Sequence, residues 1–287
     1  MTNLLHISPI HASLAVLLFP LAAFLYQALR GKQDQSGVVG LLAILLSTAA
    51  SAFFVFLPTW KQAPLEAAIT WFTVGGSTFS AGILLNNLTV LMQLLVCIIA
   101  LPVHIYSRVY MKGDPGIHRY WMYLSLFCFA MLALCVANNL LLMYVFWELV
   151  GFASYLLIGF WFTKNAAVQA NKKAFIVNRI GDIGFLIGIA LVYAHMGTLN
   201  LSELFGKQSP LFEQIPLWHT ERWMTYAGLA FFVGAMAKSA QFPLHVWLPD
   251  AMEGPTSVSS LIHARQWSRP GYFYWLRYFH CSMKVYF

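Results

Sequence analysis

The sequence predicts an all-α, polytopic membrane helix bundle. Composition is the first reason: of 287 residues, 60% are hydrophobic and only 9% are charged, with a mean hydropathy of +0.68. A soluble core cannot hold so large an apolar share. The second reason is the grouping of apolar residues into runs close to the ~20 needed to cross the hydrocarbon of a bilayer. The third is that basic residues collect in alternate short loops, the pattern that orients a multi-span protein.

The expected spans are Ala12–Leu29, Val38–Leu57, Ile83–Tyr106, Tyr120–Ala137, Leu140–Phe162, Ala174–His195 and Trp223–Gln241. A further helix is expected to start near Pro255, because proline suits the first turn of a helix. That gives about seven or eight spans of bilayer length. The first run has no basic region ahead of it and no clear small-residue cleavage site, so it reads as a retained helix and not as a signal peptide.

Arg30 and Lys32 follow the first span, Arg108, Lys112 and Arg119 flank the loop after the third, and Lys164, Lys172 and Lys173 follow the fifth. The intervening loops are neutral or acidic, including Lys61 with Glu66 and the Asn138–Asn139 turn. The long 197–222 loop sets Glu203, Glu213 and Glu221 against Lys207 and Arg222. The N-terminus is therefore expected outside and the basic loops in the cytoplasm or its equivalent. The net charge of +7 thus belongs to membrane orientation and not to nucleic acid. Cys97, Cys128 and Cys135 lie in apolar runs without ligand spacing, and there is no Gly-rich dinucleotide fingerprint. Neither a cofactor nor a metal is expected in this chain, so any electron chemistry belongs to another subunit.

Ionisable residues at membrane depth are the candidate functional groups, because each costs on the order of 3 kcal/mol to insert at the centre of a span. Glu148 sits mid-run in LLLMYVFWELVGFASYLL. It reads either as a proton-carrying carboxylate responsive to a nearby cation or as half of a static ion pair between helices. Lys238 lies inside the apolar run that precedes Pro243, and it is the natural partner of Glu148. Pro243 is expected to break that helix, and a broken helix beside a charge is the usual ion site in a bilayer. Histidine is a residue type suited to relaying protons, which makes His245 and His263 candidate relays, although His245 equally suits a cap on the broken helix. Arg179 and Asp182 have the spacing of a local, supporting ion pair on one helix. Lys172 and Lys173 read as interfacial anchors.

The stretch GAMAKSAQFPLHVWLPDAMEGPTSVSSLIHA closely resembles the antiporter-like, proton-pumping subunits of respiratory complex I (NADH:quinone oxidoreductase), and the subunit L type best. YSRVYM at Tyr106–Met111, FWELVGFASYLLIGFW at Phe146–Trp161 and KAFIVNRIGDIGFLIG at Lys173–Gly188 resemble the same family. The resemblance implies leading transmembrane helices over 1–111 and the proton-channel helices of the first inverted repeat over 112–264. It implies proton translocation coupled to electron transport through a Glu–Lys–His path formed by Glu148, Lys238, His245 and His263. It also implies membrane-arm partner subunits, with NADH, flavin, iron–sulfur clusters and quinone bound elsewhere in the complex. The chain would then belong to a translocase without doing redox catalysis itself, in a bacterial inner membrane. A cation/proton antiporter or membrane hydrogenase subunit, and a non-functional fragment, are the alternatives. Asn86–Asn87 departs from the family pattern, which usually has an aspartate there.

The resemblance stops at Ala264. Residues 265–287 read RQWSRPGYFYWLRYFHCSMKVYF, basic and aromatic, where the family continues as an apolar helix. Codons that fit Arg265 to Gly271 yield the family's Thr-Met-Val-Ala-Ala-Gly in a shifted frame. The tail is therefore expected to be out of frame after a one-nucleotide deletion near the Ala264 codon, and a short paralogue with a divergent tail is the alternative. On this expectation the second repeat is missing, and the chain as written does not pump by itself.

Overall fold

The structure is a computed structural model, and it describes residues 8–33, 36–62, 64–74, 77–205 and 222–259. Among the described residues, six helices are long and apolar enough to cross a membrane: α1 (Pro9–Arg30), α2 (Val38–Thr59), α3 (Asn87–Tyr110), α4 (Ile117–Val136), α5 (Leu140–Ile158) and α6 (Asn165–Met196). A short α7 (Leu201–Phe205) follows, and α8 (Arg222–Lys238) leads into a 3-10 turn at Asp250–Glu253. The chain is a membrane protein of the helical class that its composition implies.

Local chemistry sets the helix ends. Pro9 stands in the first turn of α1 and Arg30 in its last, where a cation complements the helix dipole. α2 passes through a π segment at Ser51–Phe56 before ending at Thr59. Asn139 caps α5, its side-chain oxygen accepting the Leu142 N–H at 2.7 Å. α4 lies at the centre of the bundle, packed against α1, α3 and α5, with Tyr120, Trp121, Leu124 and Leu132 fully buried.

Three features differ from the sequence expectation. Residues 65–85 form an antiparallel hairpin, β1 (Leu65–Val74) with β2 (Ser77–Leu85), pairing Leu65 with Leu85 and Val74 with Ser77. The expected span from Ile83 therefore begins at Asn87, because the apolar end of β2 runs directly into an apolar helix. The stop between them is Asn86, which caps α3. Its Oδ1 accepts from the Leu88 and Thr89 N–H groups, each at 3.0 Å, and the Thr89 hydroxyl accepts from the Asn86 N–H at 2.8 Å. Asn87 in turn accepts the Lys61 N–H at 2.9 Å. The second difference is α6, which has 32 residues, close to 48 Å of helix at ~1.5 Å per residue. Its first turns, with Lys172 and Lys173, extend beyond a hydrocarbon core of about 30 Å. The third is α8, which ends at Lys238 and not at Gln241.

Each end of the bundle has its own polar network. At one end Asn138 donates to Glu66 at 2.9 Å, Ser80 donates to Asn200 at 2.9 Å, and the Leu201 N–H bonds the Asn138 carbonyl at 2.9 Å. These bonds tie the hairpin, the α4–α5 turn and the α6–α7 connection together. At the other end Arg108 donates to the Ser36 carbonyl at 3.3 Å, and the Trp161 indole donates to Asp114 at 3.0 Å.

Candidate functional site

Four charged side chains meet where α5, α6 and α8 pack together. α6 and α8 approach closely because glycines face each other across the contact. A Cβ on Gly234 would stand 2.9 Å from the Phe185 Cβ, and one on Gly184 would stand 3.1 Å from the Ala230 carbonyl. Small residues are what allow membrane helices to pack backbone to backbone. The approach places Lys238, the last residue of α8, against the middle of α6.

Lys238 Nζ lies 3.4 Å from Asp182 Oδ1, with side-chain exposures of 9% and 3%. Glu148 Oε2 on α5 accepts from Arg179 Nη1 on α6 at 2.5 Å, with exposures of 21% and 43%. There is thus an inner, dry pair and an outer, wetter pair, one helical turn apart on α6. The sequence reading sets Glu148 opposite Lys238 and Arg179 beside Asp182; the fold crosses these partners. Arg179 and Asp182 share a helix, yet each finds its opposite charge on a neighbouring helix. Glu148 and Lys238 line one small cavity of about 20 Å³, with room for a water molecule. Gly151, Ser154, Asn178, Arg179, Asp182 and Trp247 line it as well. Lys238 Nζ lies over Gly151, where a Cβ would come within 2.5 Å of it.

The break after α8 makes room for this arrangement. Lys238 is at the C-terminus of a half-helix and not inside a continuous one, so its charge meets the negative end of the dipole. Trp247, 1% exposed, turns back so that its indole donates to the Ala237 carbonyl at 3.0 Å. The same carbonyl accepts the Ala240 N–H at 3.2 Å, and the Gln241 N–H bonds the Met236 carbonyl at 2.9 Å, so a turn through Ala240 at φ 49° closes α8 and Trp247 adds a second donor to the Ala237 carbonyl. Pro243 lies in the turn beyond the break, exposed, after a cis peptide bond from Phe242. Lys173 pairs with Asp250 at 2.7 Å and fastens the turn to α6, a role beyond that of an interfacial anchor. The chain becomes helical again at Thr256, next to Pro255.

His245 is exposed, its ring 5.8 Å from that of Phe242, and it is not among the cavity-lining residues. His263 and residues 265–287 lie outside the described residues. Among those described, no group of His, Cys, Asp and Glu is arranged to hold a metal ion. Trp147, Gly151, Asn178 and Trp247 are site residues that pattern reasoning passes over. The available signal is helical spacing, because Trp147, Gly151 and Ser154 recur on the face of α5 that meets α6 and α8, as Asn178 and Asp182 do on α6.

One buried and one partly exposed charged pair between apolar helices, beside a broken helix, place the chain in the class of membrane helix bundles that carry ionisable groups between their helices. Residues 137–286 match the NADH:quinone oxidoreductase/Mrp antiporter transmembrane family, and residues 71–121 match the N-terminus of chain 5 of complex I. The chain belongs to this family of antiporter-like membrane subunits. It is 43% identical over 270 residues to NADH-quinone oxidoreductase subunit L of Neisseria meningitidis, which covers 91% of this chain and 40% of the relative. It is 43% identical over 225 residues to the chloroplastic NAD(P)H-quinone oxidoreductase subunit 5 of Ipomoea purpurea, covering 77% of this chain and 31% of that one. The chain therefore spans well under two thirds of the length of these relatives. The fold is shared with a chain in the structure of the Mrp complex from Dietzia sp., at a TM-score of 0.75 and 24% identity, over 91% of this chain and 27% of that one.

Proposed function

We propose that the chain acts as a proton-translocating membrane subunit of an NADH:quinone oxidoreductase. The observation that carries this reading is the two-pair arrangement Glu148–Arg179 and Asp182–Lys238, held at membrane depth on three helices around a cavity with room for water. The partly exposed outer carboxylate is suited to exchange protons. A proton arriving on Glu148 discharges its pair with Arg179 and alters the field at the inner pair one turn away. Lys238, at the end of a half-helix beside α5 and α6, is the group suited to pass the charge on. His245 and His263 remain proposed relay positions beyond the helix break.

On this reading the redox chemistry takes place in partner subunits that bind NADH, flavin, iron–sulfur clusters and quinone. This chain contributes to the translocase without binding a cofactor, sits among other membrane-arm subunits and resides in a bacterial inner membrane. The fold shared with the Mrp chain supports a second reading, cation/proton exchange without electron transfer. Proton uptake into inside-out membrane vesicles, followed with a pH-sensitive dye, tests the assignment. Glu148→Gln keeps the shape and removes the ionisable oxygen, and NADH-driven uptake is expected to fall at least tenfold. Uptake that persists in Glu148→Gln would overturn the site. Uptake driven by a sodium gradient but not by NADH would favour the second reading.

A further inference from the structure

We infer that Trp147 is the positioning residue of the inner pair, fixing Asp182 and Lys238 relative to each other; this rests on the translocation reading above. Trp147 is 5% exposed and precedes Glu148 on α5. Its indole N–H donates to Asp182 Oδ1 at 2.7 Å, the same oxygen that Lys238 approaches at 3.4 Å. The face of its ring lies 5.8 Å from Lys238 Nζ, within cation–π range. One side chain on α5 thus touches both members of a pair whose carboxylate is on α6 and whose ammonium is on α8.

The chemistry of the indole decides what this contact can do. An indole N–H donates and never accepts, and it does not titrate, so Trp147 cannot carry a proton. It can hold an acceptor in place while protons move past. The shorter contact to Oδ1 is the indole's, so Asp182 stays anchored to α5 even when Lys238 moves away. The ring face attracts Lys238 only while the lysine is charged. Protonated Lys238 is therefore drawn to α5 and Asp182 together, and neutral Lys238 loses both attractions at once. The ring is itself immobilised by stacking on Phe185, with centroids 5.0 Å apart and planes 23° apart. An oriented donor on a fixed ring is what keeps a carboxylate in one geometry through repeated charge changes.

The test uses the complete respiratory complex in native membranes. Trp147→Phe keeps an aromatic face and most of the buried area but deletes the N–H. NADH-driven proton uptake is expected to fall about tenfold, the order set by loss of a hydrogen bond to a charged group. The carboxylate stretching band of Asp182 in infrared difference spectra, assigned by its loss in Asp182→Asn, is expected to shift in Trp147→Phe. A packing role alone would leave that band in place. Trp147→His, which returns a ring N–H, is expected to recover part of the uptake, and it carries the test if Trp147→Phe does not assemble. If Asp182→Asn and Lys238→Ala abolish uptake while Trp147→Phe leaves both uptake and band as in the wild type, the Trp147 assignment falls and the translocation reading stands; where Trp147→Phe does not assemble, an assembled Trp147→His with the band in place and no uptake has the same consequence. If Asp182→Asn or Lys238→Ala pumps normally, the translocation reading falls and takes this inference with it.

Discussion

At the residue scale, the position of the Lys238 ammonium depends on what α5 lacks as much as on what it carries. Gly151 has no side chain, and Lys238 Nζ occupies the space where a Cβ would be. Gly151→Ala should be mild for the helix, since alanine is the better helix former by about 1 kcal/mol. The clashing atom is the far end of a flexible side chain, which moves aside at little cost. The same displacement takes the ammonium away from Asp182 and the Trp147 ring. Gly151→Ala is thus expected to assemble normally, with unchanged thermal stability, while proton uptake falls several-fold. An assembled variant that pumps as the wild type does would show that the closeness of Lys238 to α5 has no functional weight. Charge spacing on α6 makes Arg179 and Asp182 visible in the sequence, but not their partners. Whether an i,i+3 pair closes on itself or reaches outward depends on what the neighbouring helices present, which one helix's sequence does not contain.

At the element scale, the segment after the helix break is fastened to the leading helices by a chain of buried hydroxyls. Ser107 donates to the Val103 carbonyl at 2.6 Å, which uses its only proton. The 2.7 Å contact between Ser107 and Tyr120 is then donated by Tyr120, and the 2.8 Å contact between Tyr120 and Ser257 is donated by Ser257. The order Ser257, Tyr120, Ser107 ends on a backbone carbonyl, which cannot accept a proton and pass it on, so the chain is a clasp and not a conduit. Tyr120→Phe leaves the two serines without the hydroxyl between them, a loss of about 1–3 kcal/mol for buried polar groups. Thermal unfolding of the purified complex should show that loss, with proton uptake per NADH retained in what remains folded. Normal stability with abolished uptake would instead make Tyr120 part of a path. The helices themselves are legible in the sequence because their apolar runs and caps agree. The hairpin is not, because the alternation in β1 is blurred by apolar residues on both faces and β2 runs straight into α3. The early end of α8 is hidden because no glycine marks it: Ala240 takes a left-handed φ of 49°, the Gln241 N–H bonds the Met236 carbonyl at 2.9 Å and the Ala240 N–H bonds the Ala237 carbonyl at 3.2 Å.

For the whole molecule, the structure sorts the charges by end. Arg30, Lys32, Arg108, Lys112, Arg119, Lys164, Lys172 and Lys173 fall at the end where α1 and α3 finish and where α4 and α6 begin. The opposite end holds the hairpin and α7, with Lys61 and Arg222 against Glu66 and Glu203. The positive-inside rule concerns lysine and arginine in short loops, and the imbalance here is large enough to orient the bundle. The basic end is therefore expected in the cytoplasm, with the hairpin on the far side and the start of α1 with it. Cysteine labelling tests this without disturbing the core, because Cys97, Cys128 and Cys135 are buried. With Cys281 replaced by serine, Thr73→Cys in β1 and Lys112→Cys between α3 and α4 each place one exposed thiol at a known end. A membrane-impermeant maleimide should label Thr73→Cys on intact cells, and Lys112→Cys only in inside-out vesicles. The reverse pattern would invert the bundle and place the Lys173–Asp250 fastening of the broken helix on the side away from the cytoplasm. The proposed proton entry at Glu148 would then be assigned to the opposite face, with the Glu148–Arg179 and Asp182–Lys238 pairs themselves unchanged.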